Sequence, residues 1–571
     1  MPSGGPVLSY PITQGPGGQG AFIESVAQSP GDGSTPTEIV LGFLTASASI
    51  GNQQLERQYL TPDFSKSWNP GWTATVFSNR GVQSYSPVND HDPKQKTATV
   101  TIGGKVVANL AGNGLYAVPS ASARRVQSAV FHLVKNSDGQ WRIASITGNE
   151  PIGLLLTSQQ FSDDYQQRNL YFFDPTGKYL VPDPVYVPLQ DTAADLMQKL
   201  VNDLNEPPGD WLNGATTTAF PQGTKVGDVT LDGGGATVNL SGTKIGKADE
   251  QTMEQVSSQV LSTLVGSGQT GPAVKTVTVV VNGRTWAPKG SQGNPVQSTA
   301  KFRPPPRAQS GVFYYLDSAG NLMDQVRPGT TPVLIQQGIG KQYSQIAISS
   351  GLNGPYIAAL RGTTLFIGPV GGKLAQRGGA IGYSSMSWDP NGNLWAATTG
   401  NQIVKLRGDA ASGTPGFQPV VYNVPGIASI EQISVIRVAP DGVRVALIVG
   451  DSALDFGAID SGSHQIRLSP FAVPVPQGTT MFTAVSWYGP DNVITLGAPG
   501  QALTEYPVNG GTATSIPPPP AGVQSITASA TYALIAGTAK GGLWYAPSLT
   551  EPWTSVNLGK DKLISPPVYP G

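Results

Sequence analysis

Three histidines, His91, His132 and His464, are the whole supply of imidazole in this 571-residue chain, and cysteine is absent. Capturing a metal through imidazole takes two or more rings at short spacing, and a serine nucleophile needs a base beside it. None of the three histidines has a second within ligand spacing. His132 falls in an alternating apolar run that reads as a strand, where a structural role is expected. His91, between Asp90 and Asp92, and His464, after Ser461-Gly462-Ser463, read as exposed loop residues. Without thiols there are no disulfides, thiolate zinc sites, iron–sulfur ligands or cysteine nucleophile.

Carboxylates offer the other route to chemistry. Asp389-Pro390-Asn391-Gly392-Asn393-Leu394-Trp395 is the most enzyme-like phrase. It resembles segments of calcium-dependent lactonase and lyase propellers, in which carboxylates and a histidine act together in a central funnel. It also resembles a degraded Asp-box, and the plainer reading is a hairpin turn capped by its aspartate. Asp441-Gly442 reads the same way. Asp163-Asp164 reads as a solvated pair at a module boundary, and Arg124-Arg125 and Lys301 to Arg307 as small solvated basic patches. Gly103-Gly104 and Gly371-Gly372 are isolated, with no phosphate-binding loop around them. No catalytic, metal or cofactor residue is therefore assigned, no cofactor is expected, and the partner-binding residues are left open.

The elements that position these residues follow from composition and period. There are 71 glycines and 49 prolines, about a fifth of the chain, while charged residues are only 12% and the formal net charge is −1. That balance speaks against sequence-independent nucleic-acid binding, which needs clustered Lys and Arg. With 39% hydrophobic residues it also speaks against wholesale disorder. No apolar run approaches the ~18 residues of a membrane span. Many breakers without a triplet period predict many turns and short strands.

Residues 1–35 read as a flexible Gly/Pro/Ser stalk. Thr35-Pro36-Thr37-Glu38 is a capping box opening a helix with Ile39, Val40, Phe43 and Leu44 on one face. A second short helix carries Leu55 and Tyr59 and stops at Thr61-Pro62. The period then becomes two, and Phe131 to Lys135 turns through Asn136-Ser137-Asp138-Gly139 into Trp141 to Ile146, so 36–150 is expected to be an α+β module. A second α+β module is expected at 160–290. In it Asn169 to Val187 reads as strand-like, with Pro182, Pro184 and Pro188 confining part of it to an edge. A helix after Thr192 carries Leu196, Met197, Leu200, Val201 and Leu204. Val226, Val229 and Leu231 pair with Ala236, Val238 and Leu240, a second helix carries Met253, Val256, Val260 and Leu264, and Val274 to Val281 closes the unit. A Pro-rich linker spans 291–310. From 311 to 571 strand pairs recur every 40 to 50 residues or so, the spacing of propeller blades. Five repeats are clear, and Val312 to Leu316 with the C-terminal tail can supply another. The fold class is thus multidomain: two α+β domains followed by an all-β propeller of five or six blades.

Several of these segments together resemble the actinobacterial LpqB lipoprotein family. Glu38 to Leu44, Arg57 to Pro62 and Trp68 resemble its NTF2-like N-terminal domain. Val181-Pro182-Asp183-Pro184-Val185-Tyr186-Val187-Pro188, Trp211-Leu212, Thr218 to Thr224 and Val238-Asn239-Leu240-Ser241 resemble its GerMN domain, and the repeats resemble its propeller. The resemblance implies a lipid-anchored protein on the outer face of the cytoplasmic membrane. The implied partner is the extracellular domain of a sensor histidine kinase of the MtrB type, with a role in cell-envelope and division control. The lipidated cysteine of the family is not in the sequence, and the expectation is that it lies just upstream of Met1. An interaction protein and not an enzyme is expected. Two other readings stand beside it: a secreted propeller enzyme of the calcium-dependent lactonase or lyase type, which requires Asp and Glu converging on the channel, and peptidoglycan binding through the GerMN-like unit.

Overall fold

The computed structural model describes residues 28–571 apart from 49–52, 70–72, 87–94, 118–125, 149–152, 190–191, 266–273, 292, 294, 304–310, 326–329, 351–354, 378, 380, 408–418, 428–430, 451, 470–480, 499–502, 509–512 and 559–561. The expected stalk therefore lies largely outside the described residues, as do His91, Arg124-Arg125 and residues 304–310 of the Pro-rich linker. The chain forms two compact units. One comprises Met1–Trp68, Val82–Ile102 and Ala129–Thr147, and the other Asn69–Gly81, Gly103–Ser128 and Gly148–Gly571.

The first unit opens with helix α1 (Pro36–Ala48). The capping box is formed: the Glu38 carboxylate accepts from Thr35 N at 2.8 Å, and Glu38 N donates to Thr35 Oγ1 at 3.3 Å. Helix α2 (Gln53–Arg57) follows. Pro62 does not merely stop a helix, as the sequence suggested. Thr61 caps a new one, α3 (Pro62–Ser67), whose first position suits a residue with no N–H to satisfy. Phe43 of α1 meets Trp68 and Phe131 edge-on at 5.4 and 6.1 Å between ring centres. Gly42 leaves room for the Tyr59 ring, which would stand 2.6 Å from a Cβ there.

Strands β1 (Ala74–Tyr85) and β2 (Thr97–Leu110) run from one unit into the other, followed by β3 (Tyr116–Ala117). In the first unit β4 (Val126–Lys135) and β5 (Trp141–Thr147) pair antiparallel through the Asn136 turn. The Asn136 side chain accepts from Asp138 N and Gln140 N, which locks that turn. In the second unit β6 (Leu154–Thr157) runs parallel to the start of β1, Ala74 opposite Leu154.

Helix α4 (Ser158–Asp164) leads into the middle module. The strand-like stretch is a hairpin of β7 (Tyr165–Phe173) and β8 (Leu180–Pro188). The break is the turn Asp174-Pro175-Thr176-Gly177, with Gly177 at φ 68°, and the Asp174 carboxylate locks it by accepting from Lys178 N and Tyr179 N at 2.7 Å. Pro182, Pro184 and Pro188 alternate along β8, so every missing N–H falls on the same edge of a two-stranded ladder. Helix α5 (Ala193–Leu204) starts at an N-cap formed by Thr192. Then β9 (Lys225–Asp232) and β10 (Gly235–Ser241) pair with Leu231, Val229 and Val226 opposite Ala236, Val238 and Leu240, as the alternation predicted. Helix α6 (Glu250–Val265) crosses over to β11 (Thr276–Val281), parallel to β10, and an Asn282-Gly283 turn adds β12 (Arg284–Trp286). The sheet order is β12-β11-β10-β9. Leu200, Val201 and Leu204 of α5 and Val256, Val260 and Leu264 of α6 bury against Val238, Val277 and Val279.

From residue 313 the chain forms only antiparallel sheets. Five four-stranded blades begin at Gln345–Ile348, Tyr383–Trp388, Ile433–Val438, Phe482–Tyr488 and Val523–Ala528, their innermost strands. A further sheet holds Phe313–Leu316, Leu322–Gln325 and Val333–Gln336. Its inner edge is completed from the far end of the chain: Tyr314 N and Val568 O, and Val568 N and Tyr314 O, bond at 2.8 and 2.9 Å. The propeller thus has six blades among the described residues, the terminal segment pairing with the first blade to close the ring.

Candidate functional site

The structure places those predicted chemical residues that lie among the described ones. Asp389 is 2% exposed, and its carboxylate accepts from Asn391 N, Asn393 N, Asn393 Nδ2 and Trp395 Nε1 at 2.8–2.9 Å. Burial raises its pKa, while the bonds from Trp395 and Asn393 pull the other way. With its acceptor sites occupied it is a turn cap. Asp317 caps an equivalent turn, accepting from Ala319 N and Asn321 N. His132 is half-buried in β4, with Nε2 3.1 Å from Thr147 Oγ1, and His464 is exposed at φ 51° with its ring beside Tyr422. Asp163 is bound by Gln159 Nε2, and Lys301 pairs with Glu254 over the Phe302 ring. Gly103-Gly104 lies inside β2 and Gly371-Gly372 in a turn held by Gln336. Among the described residues no group of three or more His, Asp or Glu is placed to hold a metal, and no helix is long and apolar enough to cross a membrane.

Asp441 is where the sequence reading fell short. It caps its turn through Val443 N and Arg444 N, but its other oxygen accepts from Arg444 Nε at 2.8 Å. Arg444, 1% exposed, stacks over Trp487 at 5.2 Å and donates through Nη2 to Pro490 O. Its Nη1 lies 3.9 Å from Asp491, whose carboxylate in turn accepts from Asn169 Nδ2 at 2.6 Å. Asn169 belongs to β7, so this buried network joins the middle module to the fourth and fifth blades.

The motif Val181 to Pro188 and the pair Trp211-Leu212 complete this seam. Val181, Trp211, Leu212 and Ala215 are buried in one cluster with Ile448, Phe456, Val485, Trp487 and Tyr506 of the propeller. Asp183, fully buried, accepts from Gly209 N at 2.8 Å; desolvation pushes its carboxyl up to about 6, against the pull of Gly209, Trp211 and Arg444. At the rim Arg467 donates to Asn213 O at 2.8 Å and to Asp460 at 2.7 Å. Gly114, at φ +81°, accepts from Tyr186 N, and a Cβ there would stand 2.5 Å from Tyr186 O. Nothing in the sequence spacing signals these partners, since Asn169 and Asp491 are 322 residues apart.

The centre of the propeller is a channel with a cavity of about 210 Å³, bounded by the inner strands and the segment ending at Gly571. Its lining is mainly serine, threonine, glutamine, proline and apolar, with Tyr569, the last residue Gly571 and one cation, Arg437, and with no Asp or Glu among the described residues. The inner strands share a device: the register shifts at Ser384, Ser434, Thr483 and Gln524, one position per blade in four consecutive blades. The bulged hydroxyls donate to backbone carbonyls, Ser384 to Ile433 O, Ser434 to Ile448 O and Thr483 to Leu496 O.

Two α+β modules and a six-bladed propeller, one of the modules fastened to the propeller by a buried polar seam, define a multidomain propeller protein. Comparison with known proteins gives the family. The model described as "Lipoprotein LpqB, N-terminal domain" matches residues 29–162, "Lipoprotein LpqB beta-propeller domain" matches 320–570, and "Sporulation and spore germination" matches 169–286. Lipoprotein LpqB of Mycobacterium tuberculosis (strain CDC 1551 / Oshkosh) is 26% identical over 521 residues, 85% of this chain and 83% of that one. The Rhodococcus jostii (strain RHA1) protein is 28% identical over 511 residues, 85% of this chain and 80% of that one. Among solved structures, a virginiamycin B lyase from Staphylococcus aureus is similar over 44% of this chain and 86% of that chain, at 14% identity and a TM-score of 0.31. The chain belongs to the LpqB lipoprotein family.

Proposed function

We propose that the protein is a lipid-anchored accessory protein at the outer face of the cytoplasmic membrane, acting by binding and not by turnover. Its partner is the extracellular domain of a two-component sensor kinase of the MtrB type, whose signalling in cell-envelope and division control it modulates. The observation that carries this reading is the seam. Asp441, Arg444, Asp491 and Asn169 tie the middle module to the propeller, making one continuous surface of the kind a protein partner reads by shape. The channel lining supports binding over the lyase-type alternative, because among the described residues none of its side chains is one of the carboxylates such an enzyme needs to hold a cation.

Titration of the purified protein against the kinase extracellular domain should give saturable binding, and deletion of the protein in cells should change kinase output. Absence of binding together with unchanged output would overturn the proposal.

A further inference from the structure

Arg437 occupies an unusual position for a guanidinium. It projects from the inner strand of the fourth blade and lines the channel cavity. Its Nη1 donates to Ser385 Oγ at 3.1 Å, Met386 O at 3.2 Å and Ile436 O at 2.7 Å. Among the described residues no carboxylate pairs with it and no partner engages Nε or Nη2, yet neither nitrogen is sealed off in the protein interior. Burial lowers its pKa to about 10, the direction expected of a desolvated cation without a counter-charge. A cation so held is costly unless an anion joins it.

The rest of the lining defines what that anion must carry. Ser384, Ser434 and Thr483 have already committed their protons to backbone carbonyls. Their remaining capacity is lone pairs, which suit hydrogen-bond donors, while Ser385, Ser486 and Thr527, which accept from Ile436 N, Ala528 N and Tyr569 N, keep protons that can meet an oxyanion. An occupant must bring an oxyanion for Arg437 and hydroxyl groups for the ring of acceptors. The cavity of about 210 Å³ is an order of magnitude above the ~10–15 Å³ a single water needs.

We propose that the propeller channel is a binding site for a small hydroxylated oxyanion, a sugar acid or sugar phosphate. Its carboxylate or phosphate is gripped by Nε and Nη2 of Arg437, and its hydroxyls donate to Ser384, Ser434 and Thr483. The planar guanidinium presents the two nitrogens side by side, the geometry that binds two oxygens of one anion. The site is independent of any partner protein.

Isothermal titration calorimetry of the purified protein with glucuronate, glucose 6-phosphate and glucose tests this. Binding of either anion with none of glucose is expected, and which anion binds identifies the oxyanion; both binding means that the site reads the shared chemistry. Arg437→Gln should weaken binding at least tenfold, with its unfolding midpoint checked alongside. Should that variant not fold, Thr483→Val retains the charge and removes one acceptor, and it should weaken the hydroxylated anion more than acetate. Failure of both anions to bind at millimolar concentration, equal binding of glucose, or unaltered affinity in a folded Arg437→Gln or Thr483→Val protein would each overturn the proposal.

Discussion

Arg444 and Asp441 lie in the seam with 1% and 2% of their side chains exposed, so removing Arg444 leaves two carboxylates, Asp441 and Asp491, without their cation. Breaking a buried pair on one side typically costs about 3–5 kcal/mol. Arg444→Met, which keeps the packing over Trp487, should therefore lower stability by about that amount in denaturant unfolding. Asp183 behaves differently, because burial raises its carboxyl from 3.8 to about 6. The folded state holds this proton more tightly than the unfolded chain does. Its neutral form is thus favoured by folding, and stability falls as pH rises through about 6. The difference is worth about 3 kcal/mol in order of magnitude. The unfolding midpoint should rise as pH is lowered from 7 toward 4, across the window between the two pKa values, and Asp183→Asn, which retains an oxygen for Gly209 N–H, should flatten that slope. An unchanged slope in the variant would remove Asp183 as its origin.

Neighbouring blades are stapled by a Ser-Trp pair on the inner strand. Ser387 Oγ accepts from Val438 N of the following blade, and Trp388 Nε1 donates to Ala347 O of the preceding one. Ser486 and Trp487 repeat the arrangement with Ala528 N and Arg437 O. Ser387→Ala removes the hydroxyl that the buried Val438 N–H donates to and should cost about 1–3 kcal/mol by thermal or denaturant unfolding. Trp388 and Trp487 were visible in the sequence as strand residues before a turn, and the turns themselves were legible because Asp and Gly sit at fixed offsets. Their inter-blade bonds were not, since a hydrogen bond between residues 41 to 51 apart leaves no local pattern. The β7–β8 hairpin was missed for a different reason: its turn, Asp174-Pro175-Thr176-Gly177, carries ordinary turn residues, with Gly177 at φ 68°, and was read through as part of one extended stretch.

At the scale of the whole molecule, the order of modules and the propeller were legible because blade period and helix period differ. The channel site was not, because bulges place Ser384, Ser434 and Thr483 around it, and a bulge is a matter of register and not of composition. Trp211 is the large aromatic that the middle module sends into the propeller core. Trp211→Ala should cost about 3–5 kcal/mol and split a shared calorimetric transition into two, as the middle module and the blades cease to unfold together. A single transition with an unaltered midpoint would contradict the seam's role. The closing of the ring also sets a timetable. Leu316 and Ser565, bonded across the first blade, are 249 residues apart. A growing chain can assemble its middle blades as they emerge, but the first blade waits for the last residues to arrive. The loop-closure entropy of that span falls on one late step, so the propeller should refold slowly and in stages, with a partly open ring as the long-lived species.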